Sequence, residues 1–90
     1  MSTMVLDIVT PEKKVYSEEV EMVITKAAEG EIGILPRHVP LVSPIKGKTV
    51  RVKKDGVFET FHVSGGFIEV RSDRVTILAE KAELPGQNEE

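Results

Sequence analysis

The chain predicts an all-β domain, a sandwich or flattened barrel, and three observations carry that prediction. Short runs rich in Val, Ile, Thr and Phe alternate apolar with polar residues along the 90-residue chain. Gly, Pro and Asp-Gly signals punctuate those runs at short intervals. No stretch sustains the roughly 3.6-residue period of an amphipathic helix.

Taken in order, Met4, Leu6 and Ile8 form the apolar face of a first strand. It ends at Thr10-Pro11, where proline lacks the donor a ladder needs. In the next run, Val20, Met22 and Ile24 form an apolar face and Glu21, Val23 and Thr25 a mixed one. Val50 and Val52 mark a later strand, with Arg51 and Lys53 on its opposite, solvated face. Asp55-Gly56 tolerates positive φ and predicts a tight hairpin into a strand over 57–63. Gly65-Gly66 predicts a second turn, followed by strands over 67–71 and 75–79 joined through Ser72-Asp73-Arg74. One domain over 1–84 is expected, with 80–83 read as the start of a linker, Pro85-Gly86 as a stop and 85–90 as a polar, disordered segment.

Composition narrows the function classes. Twelve Lys and Arg against fifteen Asp and Glu give a net charge of −3, so the concentrated basic face that nucleic acid needs is missing. The one basic stretch, Lys46, Lys48, Arg51, Lys53 and Lys54, has no interleaved aromatic platform and is read as a solvated strand face. With no Cys, the chain has no disulfide, thiolate nucleophile or thiolate metal site, and the cytosol is the default compartment. No segment approaches the ~20 apolar residues of a membrane span, and the start has no basic n-region, so a role at a membrane would require another subunit as anchor.

The most distinctive stretch is Glu29-Gly30-Glu31-Ile32-Gly33-Ile34-Leu35-Pro36-Arg37-His38-Val39-Pro40, whose glycines and prolines predict a shaped, irregular loop. Three readings compete for its side chains. Glu29, Glu31 and His38 offer metal ligands but lack a second histidine at a ligating spacing. The two carboxylates could share a proton, yet that requires a pocket this small domain has little apolar material to build. A rigid acidic loop tip that docks on a basic partner needs the fewest assumptions. His62 falls with Phe58 and Thr60 on one strand face and is read as a strand-face or satisfied core histidine. Val63-Ser64-Gly65-Gly66-Phe67 lacks the Lys and following helix of a phosphate-binding loop. No nucleophile, base and orienting acid come together in the sequence, and no catalytic, cofactor or metal residue is assigned.

These motifs resemble a family. Val9-Thr10-Pro11, the 29–41 segment, Val63-Ser64-Gly65-Gly66-Phe67-Ile68-Glu69-Val70 and Val75-Thr76-Ile77-Leu78-Ala79 are similar, in order and spacing, to the epsilon subunit of bacterial F-type ATP synthase. The resemblance implies a sandwich of about ten strands at the foot of the central stalk, peripheral to the cytoplasmic face of the bacterial membrane. Such a module is not an enzyme. It couples the gamma subunit to the c-ring so that rotation driven by protons or sodium ions reaches the catalytic sites. The resemblance further implies c-ring contacts at Glu29, Gly30 and Glu31, opposite the basic polar loops of the ring. It implies gamma-subunit contacts at Thr10, His38, Val42 and Ser43. At 37, where most of the family has glycine, stands Arg37, which is expected to make the ring-facing edge less acidic. Family members continue into a two-helix hairpin that inhibits hydrolysis and in some cases binds ATP. The resemblance stops short of that hairpin, so inhibition and ATP sensing are not expected. Outside the resemblance, an adaptor binding an extended peptide at a sheet edge and a small metal-assisted hydrolase remain as alternatives.

Overall fold

The computed structural model describes residues 2–85, so residues 86–90 of the expected disordered tail lie outside the described residues. Within 2–85 there are eight strands and no helix. They are β1 (Met4–Val9), β2 (Lys14–Val20), β3 (Met22–Ala27), β4 (Gly30–Ile34), β5 (Leu41–Pro44), β6 (Thr49–Lys54), β7 (Val57–Val70) and β8 (Arg74–Glu83). Hydrogen bonding links them in the order β2-β1-β8-β7-β6-β3-β4, with β5 added to β7. All pairs are antiparallel except β1 with β8.

The sheet becomes two layers because β7 changes neighbours. Residues 57–62 of β7 pair with β6, whereas 67–70 pair with β5, while β8 accompanies β7 from 62 to 70. One layer therefore holds β4, β3, β6 and the first half of β7; the other holds β2, β1, β8, the second half of β7 and β5. The corner lies at Gly65, whose φ is 54°, followed by Gly66. Gly65-Gly66 is thus a bend within one strand and not the hairpin turn expected from sequence. The same fact accounts for eight strands where the resemblance implied about ten: breaking β7 and β8 at the corner would add two.

Between the layers lies a single apolar cluster to which seven of the strands contribute, among them Leu6, Ile8, Val20, Val23, Ile34, Val52, Phe61, Ile68 and Ile77. Tyr16 of β2 packs edge-on against Phe61, with ring centroids 4.8 Å apart. The expected turns at 55–56 and 72–73 are present. Asp55 and Gly56 both have positive φ, as a type I′ hairpin requires, and Arg71 N donates to Arg74 O at 2.8 Å.

Three local readings change. β2 carries too few apolar residues (Val15, Tyr16, Val20) to show as a strand in the sequence. It is an edge strand whose exposed Lys14, Glu18 and Glu19 discourage pairing with another chain. Glu21 then interrupts the run, its N–H donating to Lys53 O at 2.7 Å. Alternation restarts after that break, so Val23, Thr25 and Ala27 face the core, and Met22 and Ile24 do not. Finally, 80–83 extends β8 and is not the start of a linker.

Candidate functional site

The acidic segment is half strand. Residues 30–34 form β4 against β3, and the irregular backbone expected over 29–40 is confined to the tip at 28–29 and the stretch from 35 to 40. Gly30 has φ 128° with open space where a Cβ would lie, so backbone conformation and not crowding reserves that position for glycine. Glu29 and Glu31 are exposed, and Glu31 stands across from Lys26. Ser43 holds the tip from behind: its Oγ accepts from Ala28 N at 3.0 Å and donates to Pro44 O at 3.0 Å. Ser43 is only 5% exposed, and its hydroxyl braces the acidic turn from within. Lys46 N donates to Lys26 O at 2.8 Å, adding a second brace. The turn is thereby presented as a stiff acidic tip.

A second surface was not anticipated. Cross-strand register sets Val9, Leu78, Phe67 and Pro44 side by side over β1, β8, β7 and β5. They sit on the outer face of their layer, opposite Ile8, Ile77 and Ile68 in the core. Leu78 is 48% exposed and Phe67 55%, and Val42, one row along, is 70% exposed beside Glu69. A contiguous apolar strip of this kind on a small domain is a candidate docking face. Thr10 stands at one end of the strip, closing a turn through Thr10 N to Lys13 O at 2.9 Å. His38 lies beyond the start of β5, its Nδ1 2.7 Å from Val39 O, which places the ring proton on Nδ1. Of the four residues expected to meet one partner, Thr10 and Val42 flank the strip, His38 is set apart from it and Ser43 is buried beneath it. The sequence does carry a signal for the strip, because Phe67-Ile68 and Ile77-Leu78 are apolar pairs that a strand must point in opposite directions.

The row beside the strip is ionic. Asp7, nearly buried, pairs with Arg74 from the neighbouring strand and has Lys14 Nζ 3.8 Å away. Burial pushes the Asp7 carboxyl up, but the Ser17 hydroxyl, Arg74 and Lys14 together outweigh it and hold the group below its ordinary value. Among the described residues no three His, Cys, Asp or Glu side chains converge as a metal site, so Glu29, Glu31 and His38 do not form one. His62 is exposed with Phe58 and Thr60, on the face where Arg51 lies over the Phe58 ring at 4.8 Å.

Residues 3–85 match the family described as ATP synthase, Delta/Epsilon chain, beta-sandwich domain. The chain belongs to this family. It is 59% identical over 87 residues to the ATP synthase epsilon chain of Brevibacillus brevis, covering 96% of this chain and 66% of that one. The epsilon chain of Alkalihalophilus pseudofirmus is 56% identical over 85 residues, covering 94% of this chain and 64% of the relative. That of Bacillus subtilis is 54% identical over 83 residues, covering 92% and 63%. The chain thus spans just under two thirds of the length of these relatives. Two solved structures share the fold. A chain of the Euglena gracilis mitochondrial ATP synthase OSCP/F1/c-ring structure superposes with a TM-score of 0.87 at 22% identity, over 100% of this chain and 57% of that one. A chain of the Tetrahymena thermophila mitochondrial ATP synthase central stalk/c-ring structure gives 0.73 at 16% identity, over 90% and 66%.

For this member of the delta/epsilon family, the departure at Arg37 acquires a structural meaning. His38 N donates to Leu35 O at 3.1 Å, closing a turn with Pro36 and Arg37 at its corners. Proline fixes the first corner at negative φ, and Arg37 has φ 70°, which makes the turn type II. Glycine is the residue that geometry favours. Arg37 and Glu29 lie beyond opposite ends of β4, so Arg37 does not dilute the acidic tip, contrary to the expectation from sequence.

Proposed function

We propose that the chain is a non-catalytic module of the central stalk of a bacterial F-type ATP synthase. The outer strip of Val9, Leu78, Phe67 and Pro44 seats on the gamma subunit, and the Glu29-Gly30-Glu31 tip meets the polar loops of the c-ring. Rotation of the ring, driven by protons or sodium ions, is passed to gamma through the sandwich. The module sits peripherally at the cytoplasmic face of the cell membrane, held there by its partners. The observation that carries this reading is the pairing of epsilon-chain identity with two separate surfaces, one apolar and one acidic, on a single sheet framework.

The physical division of labour follows from the chemistry of each surface. An apolar strip excludes water and gives a long-lived contact, which a stalk element must keep through every turn. An acidic tip facing basic loops sets register and orientation with little buried area. Torque also demands stiffness between the two, and the Ser43 hydrogen bonds tie the tip directly to β5, the strand that carries Val42 and Pro44.

Titration of the chain with gamma from the same organism, and of the chain–gamma complex with isolated c-ring, tests the proposal. Leu78→Glu is expected to weaken gamma binding at least ~10-fold without unfolding the domain, since Leu78 is half exposed. Glu31→Lys is expected to weaken ring docking while leaving gamma affinity intact. No detectable binding of gamma at micromolar concentration would refute the reading.

A further inference from the structure

The 35–38 turn holds Arg37 in a left-handed conformation that its β-carbon disfavours, and the surroundings enforce it. Arg37 N donates to Ser72 O at 2.8 Å, His38 N to Leu35 O at 3.1 Å, and His38 Nδ1 to Val39 O at 2.7 Å. A side chain kept in a strained position by so many local bonds is a candidate for function. Its guanidinium is exposed, and no carboxylate among the described residues pairs with it. The two other arginines at this end of the layer are both engaged, Arg71 with Glu69 at 2.9 Å and Arg74 with Asp7. On either side stand Leu35, 55% exposed, and Val39, 70% exposed. The turn leads through Val39 and Pro40 into β5, whose Val42 and Pro44 belong to the outer apolar face.

We propose that Arg37 is a specificity-determining contact that ion-pairs with a carboxylate on the same subunit that covers the outer apolar strip, with Leu35 and Val39 packing around the pair. This rests on the gamma-docking reading above. It extends the docking surface past the end of β5 and assigns the extension a chemistry: an acidic side chain at the border of an apolar patch. A fixed backbone makes the cation useful here, because a guanidinium held by a rigid turn loses less freedom on pairing than one on a mobile loop.

The test measures melting temperature and affinity for gamma, at low and high salt, for the wild type, Arg37→Asn and Arg37→Lys. Asparagine tolerates the left-handed region and carries no charge; lysine keeps the charge and the strain. Arg37→Asn is expected to melt at the same temperature or up to ~5 °C higher, yet to bind gamma ~5-fold to 10-fold more weakly with a shallower salt dependence. Arg37→Lys, which keeps the charge but not the planar fork, is expected to bind more tightly than Arg37→Asn and more weakly than the wild type. Wild-type binding with Arg37→Asn inside a factor of about two would overturn the inference and leave gamma docking standing. Weaker binding accompanied by a lower melting temperature would assign the loss to the loop's fold and also overturn it. Absence of wild-type binding would remove both readings.

Discussion

Gly65 and Gly66 sit side by side at the corner of the sandwich, but they should fail for different reasons when replaced. A Cβ on Gly66 would lie 2.1 Å from Leu78 O and 2.9 Å from Ala79 Cα. Both are backbone atoms of β8, the strand paired with β7 at that point, so relief requires tearing the ladder where the two layers join. Displacing backbone in a packed core costs about 3 kcal/mol or more, a large share of the ~5–15 kcal/mol that holds a domain of this size together. On Gly65 the nearest atoms to a Cβ belong to the Glu80 side chain at 3.6 Å, so space is available and the cost is that of φ 54°, about 1–2 kcal/mol. On Gly33 the Cβ would meet only the Met22 methyl at 2.9 Å, the free end of a flexible side chain that can swing aside. Urea denaturation followed by far-UV circular dichroism should therefore rank the alanine variants Gly66 worst, Gly65 intermediate and Gly33 mildest. With a slope of ~1–1.5 kcal/mol/M, Gly66→Ala should lower the midpoint by about 2–3 M or abolish folding. A Gly66→Ala protein within about 1 kcal/mol of wild type would refute the argument from close approach.

Three further outcomes are expected. Thr25 is buried in the core and its Oγ1 has no hydrogen-bond partner among the described residues, so Thr25→Val should raise stability by about 1 kcal/mol, seen as a melting temperature higher by roughly 4–8 °C. Because the Asp7 carboxyl is held below its ordinary 3.8, its contribution is complete above that pH and is lost as the pH falls through the lower, folded value. Asp7→Asn should cost about 1–2 kcal/mol at neutral pH and flatten the stability profile below about pH 4, and an unchanged acid limb would discount the pair with Arg74. Ser43→Ala leaves Ala28 N without its acceptor, so it should cost about 1–2 kcal/mol and speed amide exchange at 28, with no direct loss of an exposed contact.

The strands that could be read directly were those whose alternation ran unbroken to a turn signal, namely β1, β6, the two halves of β7 and the first half of β8. β2 escaped because an edge strand with one face to water needs few apolar residues, and Val15, Tyr16 and Val20 do not make a periodic run. The face of β3 was inverted for a related reason. Alternation is informative only relative to a fixed origin, and the interruption at Glu21 moves that origin by one residue without leaving a glycine or proline as a sign. Gly65-Gly66 misled in the opposite sense, since paired glycines signal a reversal of direction as readily as a bend that lets two backbones touch. What separates the two is the closeness of the β8 backbone to Gly66, where Leu78 O lies only 2.1 Å from the place a Cβ would take, a long-range fact absent from local sequence.

The same limit governs the docking surfaces. The acidic tip was legible because its charges are adjacent in sequence, whereas the apolar strip draws Val9, Pro44, Phe67 and Leu78 from four strands and exists only once register is known. Ser43 shows how the two are related. It was singled out as a contact, yet its hydroxyl is turned inward onto Ala28 N and Pro44 O, coupling the tip to the strand that bears Val42. If the two surfaces serve two partners, such a brace matters more than another contact would, because force applied at Glu29 and Glu31 reaches β5 through a short hydrogen-bonded link and not through a mobile loop. Arg37, beyond the other end of β4, then lies outside that link. Substitutions there should change the affinity for one partner and leave the transmission between partners unaltered.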